Sequence, residues 1–149
     1  MLHFAYGSTL SSKYLRRHCP DAGFLVRAVL PNFRIIFPVY SEEMKGGIAS
    51  IILDPGKLVR GVLYEIPEDE METLDEAEGV EGGLYTRQLF LVLGEDRRLH
   101  RAALYRAVEE RGLYILSRRY VELMLEGAEE HRLDPGYVER LRRLLRSLR

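Results

Sequence analysis

Over the first two thirds of the chain, apolar residues fall in short alternating or continuous runs. Over the last third they recur at helical spacing. His3 to Tyr6 is a short strand signal running straight into Gly7-Ser8-Thr9. Ser11 can then cap a short helix through about Arg17, ended by Pro20-Asp21. Ala22–Leu30 and Phe33–Tyr40 are rich in Val, Ile and Phe and predict two strands separated by Pro31-Asn32. A polar loop, Ser41–Gly47, leads to a strand over Ile48–Leu53. Asp54-Pro55-Gly56 is a turn signal ahead of another strand, Leu58–Ile66. Tyr85–Leu93 and Leu99–Val108 predict two more. In the first of these Leu89, Leu91 and Leu93 share one side while Phe90 and Val92 are apolar on the other, which predicts burial on both faces. Ser117 opens a helix with Tyr120, Leu123, Met124 and Ala128 at helical spacing. Asp134-Pro135 opens the last helix, where Tyr137, Val138, Leu141, Leu144, Leu145 and Leu148 form an apolar stripe. Strands before helices indicate an α+β fold with a closed or strongly curved sheet.

One element breaks its own pattern. Pro67 stands where a helix starts, and Glu68, Asp69 and Glu70 suit the positive end of its dipole. Met71 and Leu74 mark the inward face, and the next residue on that face is Glu78. Gly79 ends the helix. Glu78 therefore points toward the core or a cavity beside the negative helix end. Lost solvation and the dipole both favour its protonated form and raise its pKa, which suits a carboxylate to proton transfer near neutral pH. The turn after the first strand offers the complementary chemistry. Gly7 lets the backbone bend where a Cβ would obstruct it, successive amides can face an anionic oxygen, and Ser8 and Thr9 add hydroxyls.

Length and composition bound the rest. At 149 residues, 46% hydrophobic and 30% charged, the chain suits a single domain, 1–149, with a real core. A formal net charge of -1 gives no electrostatic case for nucleic acid or an anionic membrane. The Arg-rich face of the last helix reads as solvated surface. The single cysteine, Cys19, excludes an internal disulfide and fits a reducing, cytoplasmic setting. With no base paired to it, it reads as structural. The N-terminus begins a strand directly and no run reaches membrane-spanning length, so neither a signal peptide nor a membrane partner is expected.

Taken in order, five stretches resemble one family. FAYGSTL (Phe4 to Leu10) is similar to the FAYGSNL signature of the γ-glutamylcyclotransferases. LDEAEGVEGGLY (Leu74 to Tyr85) resembles that family's LDxxEGV…G-x-Y segment. GGIASI (Gly46 to Ile51) and VRGVLYEI (Val59 to Ile66) resemble its GGIATI and V-x-G-V-x-Y strands. YVELMLEGAEEHRLDPGYVERL (Tyr120 to Leu141) resembles its C-terminal Y…GA-x-E-x-G-L-x-x-x-Y segment. The resemblance implies a small mixed β-barrel flanked by helices. It also implies a cavity lined by the turn Tyr6, Gly7, Ser8, Thr9, Leu10 and by the family's glutamate, which falls on Glu78. The implied reaction is intramolecular aminolysis. The α-amine of a γ-glutamyl compound attacks its own γ-carbonyl and releases 5-oxoproline and a free amino acid, with no metal or organic cofactor. Glu78 would serve as general acid and base, the turn amides would hold a carboxylate or oxyanion, and Tyr6 and Tyr120 would line the pocket. Tyr85 and Tyr105 read as structural.

The departure is Thr9, where the family has Asn: an amide donor is lost and a β-branch gained. The partner implied is a small γ-glutamyl substrate, and a homodimer is left open. Two alternatives stand beside this reading: a γ-glutamylamine cyclotransferase, and a non-catalytic module holding a small carboxylate on the same fold.

Overall fold

The computed structural model describes residues 1–148, so Arg149, the end of the expected domain span, lies outside the described residues. Five strands close into a barrel: β1 (Leu2–Ala5), β2 (Gly23–Ser41), β3 (Gly46–Glu65), β4 (Tyr85–Gly94) and β5 (Leu99–Ala107). Their spatial order is β1-β3-β2-β4-β5. Every pairing is antiparallel except the closing one, where β1 meets β5 in parallel with His3 opposite Ala103. Closure removes both sheet edges. The core includes Phe4, Ile51, Leu63, Tyr64 and Leu104, all fully buried or nearly so.

Two turn signals do not reverse the chain. Pro31-Asn32 and Asp54-Pro55-Gly56 lie within single long strands, β2 and β3, and face each other across the ladder. Pro31 pairs with Leu58 and Phe33 with Leu53, with a register shift between them. Asn32 and Gly56 take positive φ, 68° and 87°, and the Gly56 amide donates to Asn32 Oδ1 at 3.1 Å. The local chemistry asked for left-handed backbone; the ladder absorbed it as a double bulge instead of a turn. A second expectation is corrected at β4. Leu89, Leu91 and Leu93 are 62%, 57% and 42% exposed, so the strand is buried on one face only.

Four helices pack around the barrel: α1 (Ser12–Leu15), α2 (Glu68–Ala77), α3 (Arg118–Glu130) and α4 (Pro135–Ser147). α1 is a single turn that stops two residues short of the expected Arg17. Three starts follow the expected chemistry. Ser11, Ser117 and Asp134 each accept a hydrogen bond from the amide three residues on, at 3.2, 3.0 and 3.1 Å, satisfying donors the helix leaves orphaned. On α4 only Val138 and Leu141 of the apolar stripe are fully buried. Among the described residues no helix is long and apolar enough to cross a membrane.

Candidate active site

β1 delivers the chain to the mouth of the barrel, and a single 3₁₀ turn, Ser8–Leu10, follows at once. The bonds that close this turn are donated by Leu10 to the Gly7 carbonyl at 3.0 Å and by Ser11 to the Ser8 carbonyl at 3.2 Å. The amides of Gly7, Ser8 and Thr9 are therefore not spent in closing it. A Cβ at Gly7 would collide with the Tyr120 hydroxyl. Glycine is required here by close approach, with α3 pressing Tyr120 against the turn. Gly127, one helical stretch further, lets α3 approach the Leu10 backbone in the same way.

α2 supplies the acid. Its last turn is a Schellman close: Val80 donates to the Asp75 carbonyl and Gly79 to the Glu76 carbonyl, both at 3.1 Å. Gly79 sits at φ +70°. This fixes Glu78 as the C-cap residue, four positions beyond buried Leu74. Burial pushes its carboxyl up to about 7, because removing an ionised carboxylate from water is costly and no strong charge partner offsets the cost. Glu78, the Gly7–Thr9 turn, Tyr6 and Tyr120 line one cavity. A second, outer cleft shares Ser8, Glu78 and Tyr120 with it and continues past Tyr14, His18 and Glu43.

The wall of the inner cavity is a set of anchored tyrosines. Tyr6 donates to the Tyr105 carbonyl at 2.6 Å, Tyr105 to Asp75 Oδ1 at 2.5 Å, and Tyr85 to the Ala49 carbonyl at 2.7 Å. Arg87 stands 3.5 Å from the same Asp75 oxygen. Burial together with neighbouring Glu78 raises the Tyr120 hydroxyl well above its usual range. These phenols stay neutral at physiological pH.

A family model described as the AIG2-like family matches residues 58–141. The γ-glutamylcyclotransferase of Homo sapiens is 30% identical over 145 residues, covering 95% of this chain and 77% of that protein.

The chain belongs to the γ-glutamylcyclotransferase family.

The γ-glutamylcyclotransferase of Bos taurus is also 30% identical, over 144 residues, covering 94% of this chain and 76% of its own. A solved structure titled gamma-glutamyl cyclotransferase superposes with a TM-score of 0.85 at 29% identity, covering 95% of this chain and 86% of that one.

Within this γ-glutamylcyclotransferase fold, six of the seven site residues named from sequence meet at the cavity: Tyr6, Gly7, Ser8, Thr9, Glu78 and Tyr120. Leu10 does not. Its side chain is fully buried in the core and its carbonyl accepts from Tyr64 at 3.1 Å. Tyr85 and Tyr105, read from sequence as structural, line the cavity while also serving as braces, and His3 lines it too. The signal for Tyr105 and His3 lay in the β1–β5 pairing, which sequence patterning does not reveal. Among the described residues no group of three or more His, Cys, Asp or Glu side chains is placed to hold a metal ion.

Proposed function

We propose that this protein is a γ-glutamyl cyclotransferase acting on γ-glutamyl amino acids, with Glu78 as its general acid and base. The observation that carries the reading is a carboxyl held near pKa 7 by burial in the same cavity as a turn whose Gly7, Ser8 and Thr9 amides are not spent in closing it. The α-amine of the substrate is an ammonium at neutral pH and cannot attack until it loses a proton. Glu78 accepts that proton. The nitrogen then forms a bond to the γ-carbon, and the carbonyl oxygen gathers negative charge opposite the Gly7–Thr9 amides. As the γ-amide C–N bond breaks, Glu78 gives that proton to the departing nitrogen and takes the second from the ring nitrogen, which leaves one N–H on the lactam; the released amine then takes up the second proton and Glu78 is restored. The products are 5-oxoproline and a free amino acid. Because the attack is unimolecular, holding the glutamyl chain folded supplies much of the acceleration. The cavity holding Glu78 and the turn would take the glutamyl moiety, and the cleft that shares Ser8, Glu78 and Tyr120 with it the leaving group. Neither step calls on a cofactor. The whole chain acts as one domain in this reading, and the chemistry fits the turnover of glutathione-derived γ-glutamyl compounds in a cytoplasmic setting.

Thr9 favours a second reading. It replaces the family's Asn, and a change beside the substrate suits a changed leaving group such as an amine. Purified protein incubated separately with γ-glutamyl dipeptides and with γ-glutamylamines, with 5-oxoproline quantified, decides between them. Release from dipeptides supports the first reading, and release from amines alone supports the second. Binding of small carboxylates without release from either set would leave the non-catalytic module.

A further inference from the structure

Four tyrosines line the cavity, and three of them have given their hydroxyl hydrogen away. Tyr6 donates to the Tyr105 carbonyl at 2.6 Å and Tyr85 to the Ala49 carbonyl at 2.7 Å. Tyr105 donates at 2.5 Å to the Asp75 carboxylate, which pairs with Arg87. Carbonyl and carboxylate oxygens can only accept, so the direction of each bond is fixed. Tyr120 is the exception. Its hydroxyl is given to no carbonyl or carboxylate among the described residues. The groups that act on its oxygen, the Ser8 amide and hydroxyl and the Ala49 amide, act as donors.

The position of Tyr120 is as distinct as its bonding. Its hydroxyl occupies the space that a Cβ at Gly7 would need, so it stands against the turn that carries the Gly7, Ser8 and Thr9 amides. Ser8, Glu78 and Tyr120 are also the three residues common to the inner cavity and the outer cleft. A substrate that spans both has its scissile amide at that junction. The phenol is held there from two sides. The Tyr120 amide donates to Ser117 Oγ at 3.0 Å in the first turn of α3, and Ser117 Oγ donates to the Met44 carbonyl at 2.6 Å. The Phe37 ring meets the Tyr120 ring edge-on, with 6.3 Å between centroids.

We propose that the Tyr120 hydroxyl is a catalytic donor to the γ-carbonyl oxygen of the substrate, completing with the turn amides the site that holds this oxygen as it becomes an oxyanion. This rests on the γ-glutamyl reading above. Tyr120 keeps its hydrogen throughout. Burial, with Glu78 alongside, raises the hydroxyl well above its usual range, so it steadies the developing charge without ionising, and proton transfer stays with Glu78. A donor fixed in place before the reaction needs no reorganisation when the charge appears. The other three phenols could take this part only by surrendering a bond to a carbonyl or a carboxylate.

The test uses two analogues that lack the α-amine and cannot cyclise. A glutaryl dipeptide keeps the planar γ-amide. Its phosphinate counterpart puts a tetrahedral, anionic P–O⁻ where the oxyanion forms. Tyr120→Phe should lower kcat on a γ-glutamyl dipeptide about 10²- to 10³-fold, as loss of one oxyanion donor does, with KM moving less than about three-fold. It should weaken phosphinate binding about ten- to a hundred-fold, the range expected of one hydrogen bond to a charged group. Binding of the glutaryl dipeptide should change less than about three-fold, because the bond strengthens only with the charge. Retained glutaryl affinity also shows that the variant is folded. Tyr85→Phe deletes a hydrogen already given to Ala49 and should weaken the two analogues alike. Equal weakening of both analogues by Tyr120→Phe would overturn the proposal, as would a fall in kcat of less than about ten-fold. So would a loss of the phosphinate alone in Tyr85→Phe as large as that in Tyr120→Phe. If the unsubstituted protein releases 5-oxoproline, any of these results overturns the role of Tyr120 alone. If it releases none from any γ-glutamyl compound, the reading of function fails and the proposal fails with it.

Discussion

A carboxyl that loses solvation on folding couples the chemistry of the site to the stability of the protein. Below about pH 4.5 Glu78 is protonated in both folded and unfolded chains. Between about 4.5 and 7 the unfolded chain releases the proton while the folded chain retains it. Stability therefore falls as pH rises through that window, by about 1.4 kcal/mol per pH unit and on the order of 3 kcal/mol in all, and is flat above it. Glu78→Gln removes this cost, so it should lack the slope and be more stable than the parent at pH 8 by roughly 2 kcal/mol. Urea unfolding at pH 5 and pH 8 measures the difference. The same substitution removes proton transfer and should lower kcat by about 10²- to 10⁴-fold. In the unsubstituted protein activity should be lost as pH falls below an apparent pKa near 7, since the base must be ionised to act. A Glu78→Gln variant retaining more than about a tenth of parental turnover would remove Glu78 from the acid–base role.

At the scale of elements, the site depends on how closely α3 approaches the turn after β1. Gly7→Ala forces a Cβ onto the Tyr120 hydroxyl and should cost about 1–3 kcal/mol by overpacking. Tyr120→Phe deletes the colliding atom and leaves the ring carbon Cζ at 3.0 Å from the new methyl. The double variant should therefore recover part of the lost melting temperature, a coupling that thermal unfolding of the four proteins would reveal. Local chemistry was legible in the sequence wherever it acts locally. The caps at Ser11, Ser117 and Asp134 and the i, i+4 step from Leu74 to Glu78 need only neighbouring residues. The bulge at Asn32 and Gly56 was not legible, because each signal read alone looks like a chain reversal. Only their pairing across β2 and β3 makes them a bend. The outward leucines of β4 were hidden for a related reason: an alternating apolar face looks the same whether or not something covers it. Leu91 faces solvent opposite Arg101, so Leu91→Glu should change unfolding free energy by less than about 0.5 kcal/mol. A loss of several kcal/mol would show that this face is covered.

For the whole molecule, the parallel seam that pairs the third residue with the 103rd both closes the barrel and sets the direction in which the chain enters the cavity. Thr9 in the turn after β1, Glu78 and Tyr120 come from three stretches far apart in sequence, and the cavity they line is complete only when β1 is in place. An unfolded chain therefore has no partial version of the cavity, and anything that fits it binds the closed barrel alone. By mass action, a ligand at a hundred times its dissociation constant should raise the unfolding free energy by about 2.7 kcal/mol, or roughly 5–10 °C in melting temperature for a chain of this size. Thermal melts with 5-oxoproline or a glutaryl dipeptide that lacks the α-amine would read this directly, and a midpoint that stays put at high ligand concentration would mean that these compounds do not bind the folded chain. For this protein, occupancy of the cavity is a fold-stabilising event in its own right. A cell rich in substrate or product would hold more of the chain folded, and would expose less of it to proteolysis, than one without.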